Sequence, residues 1–256
     1  MTTKYAMSET GAFDELAQEF FSVWFRFHPD AALEAGQQDF GQLLPAQSDD
    51  DHAALGSWLE TLIVALEEIN FQALDERRRL DLELMFSLAR VEHRELLERD
   101  WRHRDPLRFL PLAEIHRLTL LRPPGLRDAL STLLTATPDH LRSAIAQLQP
   151  MAELVPPALV RSAIVAADDG RCYLRALVRS RWLRTHCHGH VELETQAEAA
   201  GEALAQYAGA LRRDIAPRAA GNPGCGEAHL RFRLRHRHLL GVEPSACVPL
   251  LDKLAG

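Results

Sequence analysis

The stretch from position 75 to position 105 constrains the fold more than any other feature. It contains neither glycine nor proline, and Pro106 follows it. Because a residue before proline is pushed out of the α conformation, we predict one helix over this whole range. Its apolar residues fall at helical spacing on two faces. One face carries Leu80, Leu84, Leu88 and Val91, and the other carries Leu82, Phe86, Ala89, Leu96 and Leu97.

The two apolar faces indicate where this helix lies in the fold. A helix with one apolar stripe lies on a surface, whereas a helix with two lies between neighbours. We therefore predict an all-α protein, a multi-helix array of about ten helices packed around a long central helix at about residues 75–105. Only His229–His238 alternates with a period of two, and no second strand candidate exists to pair with it, which favours a helix there as well.

The helices are predicted to form a single domain over residues 1–256. Residues 1–9 are expected to be a flexible tail. Breaks with proline and glycine occur at 122–125 and 221–224, and the second is a candidate minor boundary between subdomains. Neither break is long enough to be a free linker between domains.

Composition and charge exclude several classes of protein. The formal net charge is −7, which argues against a nucleic-acid binder because such proteins carry a basic face. The N-terminal sequence has no apolar signal-peptide region, and no apolar run approaches the roughly 18 residues that a membrane span needs. The four cysteines are widely spaced, which is not a disulfide framework. We therefore expect a cytoplasmic protein with free thiols that binds neither nucleic acid nor a membrane.

The most concentrated set of potential metal ligands is the segment His186-Cys187-His188-Gly189-His190. Neutral imidazole and thiolate are ligands for transition metals, so His186, His188 and His190 are candidate metal ligands. The spacing matches no structural zinc pattern, and a solvated turn between two helices is the alternative explanation. Cys187 beside two histidines also resembles a Cys/His nucleophile, although adjacency in sequence does not create that geometry.

Complete catalytic motifs are absent from the sequence. The zinc-peptidase helix H-E-x-x-H, the G-x-S-x-G nucleophile elbow and the phosphate-binding glycine loops do not occur. We therefore assign no catalytic residue and no cofactor-binding residue, and we expect no enzymatic activity from this chain alone. A second group of histidines, His229, His236 and His238, lies among arginines and is expected to form a polar surface.

Several segments share their pattern and order with one family of bacterial proteins. In this sequence they are Pro29-Asp30-Ala31-Ala32 with Gly36 and Phe40, the helix Arg79–Asp105 before Pro106-Leu107, Leu133-Leu134 with Pro138, Leu141 and Ala144, Pro156-Pro157 with Leu159 and Ala163, and Ala203–Pro217 with Gly224 and Gly226-Glu227. Taken together, they resemble the N-terminal half of the family known as domain of unknown function 885. Its members are large, mainly helical proteins, some of them lipoproteins, with a relationship to zinc metallopeptidases.

The resemblance implies a division of roles between two halves of such a protein. Family members are longer, and their zinc helix, H-E-x-x-P-G-H, lies in a C-terminal half that we expect to be missing here. Zinc would therefore enter only through that half, and no residue of this chain inherits a zinc-ligand or general-base role. What the resemblance implies is a non-catalytic scaffold that forms one wall of a peptide-binding groove. Its partner would be a separate catalytic half or a second copy of this chain.

Two rival hypotheses predict different surfaces. If a catalytic half is missing, the chain should expose an apolar patch larger than a few hundred Å². A free-standing helical module that binds a protein or a small ligand, with no peptidase activity, should instead have a closed core and a pocket among its helices. A metal site on the histidines at 186–190 is a third hypothesis, independent of the other two.

Overall fold

A computed structural model of the chain describes residues 9–37, 43–187 and 190–247. These residues include the ten α-helices named below and a further helical segment at 244–247, and no strand occurs among them, which confirms the predicted all-α fold. The helices are α1 (Glu9–Phe27), α2 (Pro29–Glu34), α3 (Asp49–Glu68), α4 (Glu76–Glu98), α5 (Leu112–Leu121), α6 (Leu126–Leu148), α7 (Pro157–Arg179), α8 (Arg181–His186), α9 (His190–Ala210) and α10 (Glu227–His236). Short 3-10 turns span Phe71–Ala73, Trp101–His103, Pro106–Phe109 and Ala152–Leu154, and a π-helical turn, Leu211–Ile215, continues α9.

The chain divides into two compact units. Unit one is built from Met1–Val23, Ser48–Arg99 and Gly224–Gly256, and unit two from Trp24–Gln47 and Asp100–Pro223. The break predicted at 221–224 lies at one of these boundaries. The predicted tail at residues 1–9 lies outside the described residues, apart from position 9, where α1 begins.

The core of unit two is formed mainly by α6, α7 and α9. Leu133, Leu174 and Leu204, one from each of these helices, are fully buried. A buried tyrosine connects this core to the 3-10 turn Pro106–Phe109. The Tyr207 hydroxyl donates a hydrogen bond of 2.7 Å to the Pro106 carbonyl. The apolar side chains of these helices thus share one core within unit two.

Helix α6 continues through a proline. The Thr137-Pro138-Asp139 segment predicts the start of a new helix, and this prediction is wrong. Thr137 is fully buried, and its hydroxyl donates to the Leu133 carbonyl at 2.7 Å instead of capping a helix. Both sides of the proline bury an apolar stripe, and this packing outweighs the local break. The stripe comprises Leu130, Leu133, Leu134, Leu141, Ala144 and Leu148.

Helix α7 also continues past a predicted end. The Asp168-Asp169-Gly170 segment was expected to end the helix after Ala167, but α7 extends to Arg179. Gly170 is buried, and a Cβ atom placed on it would lie 2.4 Å from the Leu112 side chain. The glycine therefore permits close packing of α7 and does not act as a helix terminator.

Helix α4 of unit one is shorter than predicted and buries only part of its predicted stripes. It ends at Glu98, and the chain then leaves the helical conformation at Arg99. Just beyond it, the Asp100 side chain caps a 3-10 turn by accepting a hydrogen bond from the Arg102 amide, a local bond that competes with continuing the helix. The buried residues of α4 are Leu82, Met85, Ala89 and Val91. Of the stripe that contains Val91, the three leucines are exposed, so the prediction of two buried stripes is wrong for that stripe.

The two helices that pack against α4 in unit one follow their sequence signals. Ser48 and Asp51 form a capping box at the start of α3, as the serine and aspartates of this segment predict. The helix favoured over 229–238 is confirmed by α10, which packs on α4.

Candidate functional site

The histidine segment 186–190 is described only in part. His186 is exposed at the end of α8, where its Nδ1 lies 2.8 Å from the Trp182 carbonyl and its ring stacks on the Trp182 ring at 4.8 Å between centroids. His188 and the side chain of His190 lie outside the described residues. The proposed metal site on His186, His188 and His190 therefore stays a prediction, and the described geometry explains His186 by contacts within its own helix.

Cys187 lacks the surroundings of a reactive thiol. It is 1% exposed and belongs to the core of unit two. Burial raises the pKa of the Cys187 thiol above its usual value, with a smaller opposing effect from Arg127. A nucleophilic cysteine needs an accessible thiolate of lowered pKa, so this arrangement favours an inert core thiol.

The second histidine group divides between the interior and the surface. His229 is only 5% exposed, so the expectation of a polar surface is wrong for this residue. Its Nε2 lies 3.6 Å from Glu95 Oε1 and its Nδ1 lies 3.8 Å from Glu98 Oε2. The two carboxylates thus face opposite nitrogens of the ring, and this arrangement fastens α10 to α4.

His236 and His238 are more accessible than His229. The His236 ring lies 4.5 Å from the Phe232 ring between centroids. Burial lowers the pKa of His236, and nearby arginines lower it further. His238 is exposed. No group of three or more His, Cys, Asp or Glu side chains within the described ranges is arranged to hold a metal ion.

A row of leucines lies exposed on α4 in unit one. We call Leu80, Leu84 and Leu88 the leucine row; their exposed fractions are 53%, 45% and 40%. They are four residues apart, so they follow one side of the helix. They belong to one of the two stripes that the sequence predicts, and the fourth member of that stripe, Val91, is buried. A row of large apolar side chains facing solvent is typical of an interaction surface.

A charged groove lies between α7 and α9 in unit two. One wall carries arginines of α7 and the other carries glutamates of α9, each set four residues apart, and small residues of α9 form part of the floor. The groove has a volume of about 150 Å³. Its lining comprises Arg171, Arg175, Arg179, Glu194, Glu198 and Glu202, with Val178, Ala197 and Gly201.

The two helices are antiparallel, which places the charged rows opposite each other. Arg171 pairs with Glu202 at 3.5 Å, whereas the earlier Asp168 pairs with the later Arg212. Moving four residues forward on α7 therefore corresponds to moving four residues back on α9. This brings Arg175 to the level of 198 and Arg179 to the level of 194.

The central charges of the groove have no ion-pair partner. In the part of the chain that the structure describes, Arg175, Arg179, Glu194 and Glu198 form neither a salt bridge nor a side-chain hydrogen bond. Arginine offers a planar set of donors that suits carboxylates, and glutamate accepts hydrogen bonds from ammonium groups. The groove can therefore present donors on one wall and acceptors on the other.

The sequence contains a signal for the two charged rows of this groove. Arginines at 171, 175 and 179 and glutamates at 194, 198 and 202 are both spaced by one helical turn. What the sequence could not show is the antiparallel pairing that brings the rows together, because this depends on the tertiary packing of α7 on α9.

Comparisons with known proteins identify the fold and no family. No protein-family model matches the chain, and no curated protein matches it. The chain is similar to a solved structure, "a putative lipoprotein of unknown function from Shewanella oneidensis", with a TM-score of 0.64 and 12% sequence identity. The similarity covers 80% of this chain and 38% of that protein, so this chain corresponds to well under half of its length. Within the described residues, every helix is too short or too polar to cross a membrane.

Proposed function

We propose that the chain is a non-catalytic helical scaffold. In this proposal it packs through the leucine row against a separate catalytic polypeptide that carries a zinc-binding helix, and it contributes one wall of a peptide-binding groove. The leucine row carries the proposal, because a side of α4 with three exposed leucines is the surface expected where a second polypeptide packs.

Burial of the leucine row would supply only part of the free energy that a stable interface needs. Complete burial of a leucine contributes about 1.5–3 kcal/mol, and these three side chains are roughly half exposed, so covering them would contribute about 2–4 kcal/mol in all. Association itself costs several kcal/mol in lost freedom of motion. The partner would therefore have to make further contacts beyond Leu80, Leu84 and Leu88.

The similarity to a longer protein supports the same proposal. The helical fold of this chain corresponds to 38% of the Shewanella protein, so in that protein the fold occurs together with a large amount of further polypeptide. An architecture of this kind provides a precedent for covering an exposed face of the helical part with another part of the protein.

The test is site-specific crosslinking in the organism that encodes the chain. A photoreactive amino acid at position 84 should crosslink to one polypeptide, and sequencing of that polypeptide should reveal an H-E-x-x-H-type helix. Leu97 offers a matched control, because it is on the same helix and 67% exposed but lies on a different side from the row. Crosslinking to a second copy of the chain only, or peptide hydrolysis by the purified chain alone, would contradict the proposal.

A second function is favoured by the groove in unit two. All of its lining residues belong to this chain, so a ligand could bind there without any other polypeptide. This corresponds to a free-standing helical module that binds a ligand and has no peptidase activity. Saturable binding by the purified chain, with no crosslink from position 84, would favour this second function over the first.

A further inference from the structure

We infer that the groove between α7 and α9 binds a small zwitterion, such as a free amino acid or a short peptide with free termini. The ligand carboxylate would contact Arg175 and Arg179, and its ammonium group would contact Glu194 and Glu198. The inference rests on the second proposed function, a free-standing module that binds a ligand, and it names the class of ligand. Its test uses the purified chain and does not depend on the leucine row. The zwitterion site and the docking of a catalytic polypeptide on α4 can therefore be refuted separately.

The first argument is the arrangement of charge across the groove. One wall is positive along its whole length and the other is negative, and among the described residues only the pair of Arg171 and Glu202 at one end is joined across the groove, at 3.5 Å. The unpaired charges begin one helical turn further along. A ligand with charges of both signs can satisfy both walls at once, which neither a simple anion nor a simple cation can do.

The second argument is selectivity. An anion drawn to Arg175 would face the carboxylate row on the opposite wall, and a cation drawn to Glu198 would face the guanidinium row. Unfavourable contacts of this kind discriminate against the wrong ligand as effectively as favourable contacts select the right one. The groove therefore disfavours singly charged molecules and accepts those in which the two charges are close together.

The third argument is the floor of the groove. Ala197 of α9, next to Glu198, lines the groove with a small side chain, which leaves space above α9 near the unpaired charges. Gly201 lies instead at the end where Arg171 and Glu202 are joined, and a Cβ atom there would lie 3.4 Å from Arg171 Cγ.

The solvent exposure of these charged side chains determines the expected affinity and salt dependence of binding. Most of them are exposed, so each ionic contact is weak and is screened by salt. Binding should be reversible, of low affinity, and weaker at high ionic strength. Backbone NMR spectroscopy suits this regime, because it detects weak binding and locates it along the chain.

The experiment is a titration of the ¹⁵N-labelled chain with glycylglycine at low salt. Saturable chemical-shift changes are expected in α7 and α9 around positions 171–179 and 194–202. N-acetylglycine methylamide, which has the same backbone and no charges, should cause no such changes. Acetate and methylammonium, each carrying one of the two charges, should bind more weakly than glycylglycine.

Two variants test the two walls. Arg175→Gln and Glu198→Gln should each weaken binding about fivefold, the upper end for an exposed ion pair. Arg142→Gln is the matched control, since Arg142 is a highly exposed arginine of α6 outside the groove, and it should leave binding unchanged.

Three results would overturn the inference. One is the absence of saturable shifts in α7 and α9 with glycylglycine. Another is that N-acetylglycine methylamide binds as tightly as glycylglycine, and the third is that acetate alone does so. Failure of the crosslinking experiment at position 84 would leave this inference standing, because that experiment concerns only the docking surface of α4.

Discussion

At the scale of single residues, His140 gives the stability of the protein a dependence on pH. The His140 side chain is 8% exposed and lies against the Phe109 ring, with centroids 6.2 Å apart. Burial lowers the pKa of His140 from 6.5 to about 4, although a hydrogen bond with the Phe109 backbone raises it slightly. Because the unfolded chain binds this proton more readily, the stabilising effect is complete above pH 6.5 and is lost as the pH falls toward 4.

The expected loss from His140 over this range is on the order of 3 kcal/mol in the free energy of unfolding. Chemical denaturation at a series of pH values should measure it as the difference between the wild type and His140→Gln. The comparison is needed because burial raises the pKa of Asp105 and Glu114, which changes stability in the opposite direction. Equal pH dependence in both proteins would contradict the prediction.

The hydroxyl group of Tyr207 makes a second prediction at this scale. It is buried and donates to the Pro106 carbonyl at 2.7 Å. Tyr207→Phe keeps the ring in the core and leaves that carbonyl without its partner, so we expect a loss of about 1–2 kcal/mol in unfolding free energy. Thermal or urea unfolding measures it. Thr195→Val, at an exposed hydroxyl of α9, provides a control that should change stability by less.

The residues of the candidate sites show what sequence could predict at this scale. The leucines at 80, 84 and 88 were recognised as a stripe, because periodicity is visible in sequence. Their exposure was not predicted, since it depends on which helices pack on α4. The burial of His229 was missed for the same reason, because its Arg-rich neighbours suggest a surface and only the packing of α10 on α4 covers it.

At the scale of secondary-structure elements, Pro138 is a local break that the rest of the protein overrides. It lies within α6, and it lacks the amide hydrogen that would bond to the carbonyl one turn earlier. Pro138→Ala should therefore stabilise the protein by about 1–2 kcal/mol, since the restored hydrogen bond exceeds the smaller entropy of an unfolded chain that contains proline. Urea unfolding tests this, and a destabilised variant would show that α6 requires its proline.

Pro156 and Pro157 show the opposite outcome for proline. Pro157 is the first residue of α7, where a missing amide hydrogen costs nothing. The same residue type therefore marked a helix start correctly at 157 and wrongly at 138. Sequence alone could not separate these cases, because the difference lies in the buried stripe on both sides of Pro138.

At the scale of the whole molecule, unit two has a complete core of its own. The buried apolar cluster that contains Leu133, Leu174 and Leu204 lies entirely within that unit. A fragment of residues 100–223, which contains the buried residues of this cluster apart from Leu33, should therefore be helical and unfold cooperatively on heating, as measured by circular dichroism. A fragment of residues 48–99 carries two helices of unit one without α10 and serves as a comparison that should unfold less cooperatively. A non-cooperative transition in the longer fragment would contradict the prediction.

The all-α class was predictable because helical periodicity recurs along the chain, and the described residues confirm it. Which helices pack against each other was not predictable from the sequence. The stretch 75–105, which lacks glycine and proline, predicts that α4 is the central helix. The most extensive packing in the described structure instead involves α6, α7 and α9. These helices meet through residues distant in sequence, and periodicity within one helix contains no information about its partners.

The order of the segments has a consequence for how the protein is made. Unit one is not continuous in sequence. Its helices α3 and α4 precede Asp100, whereas α10 follows Pro223, the last residue of unit two. During synthesis, all of unit two leaves the ribosome before α10 does. Domains generally fold as units while the chain grows. Glu95 and Glu98 are therefore synthesised long before His229, the residue that they contact, whereas the core of α6, α7 and α9 can form before α10 is made.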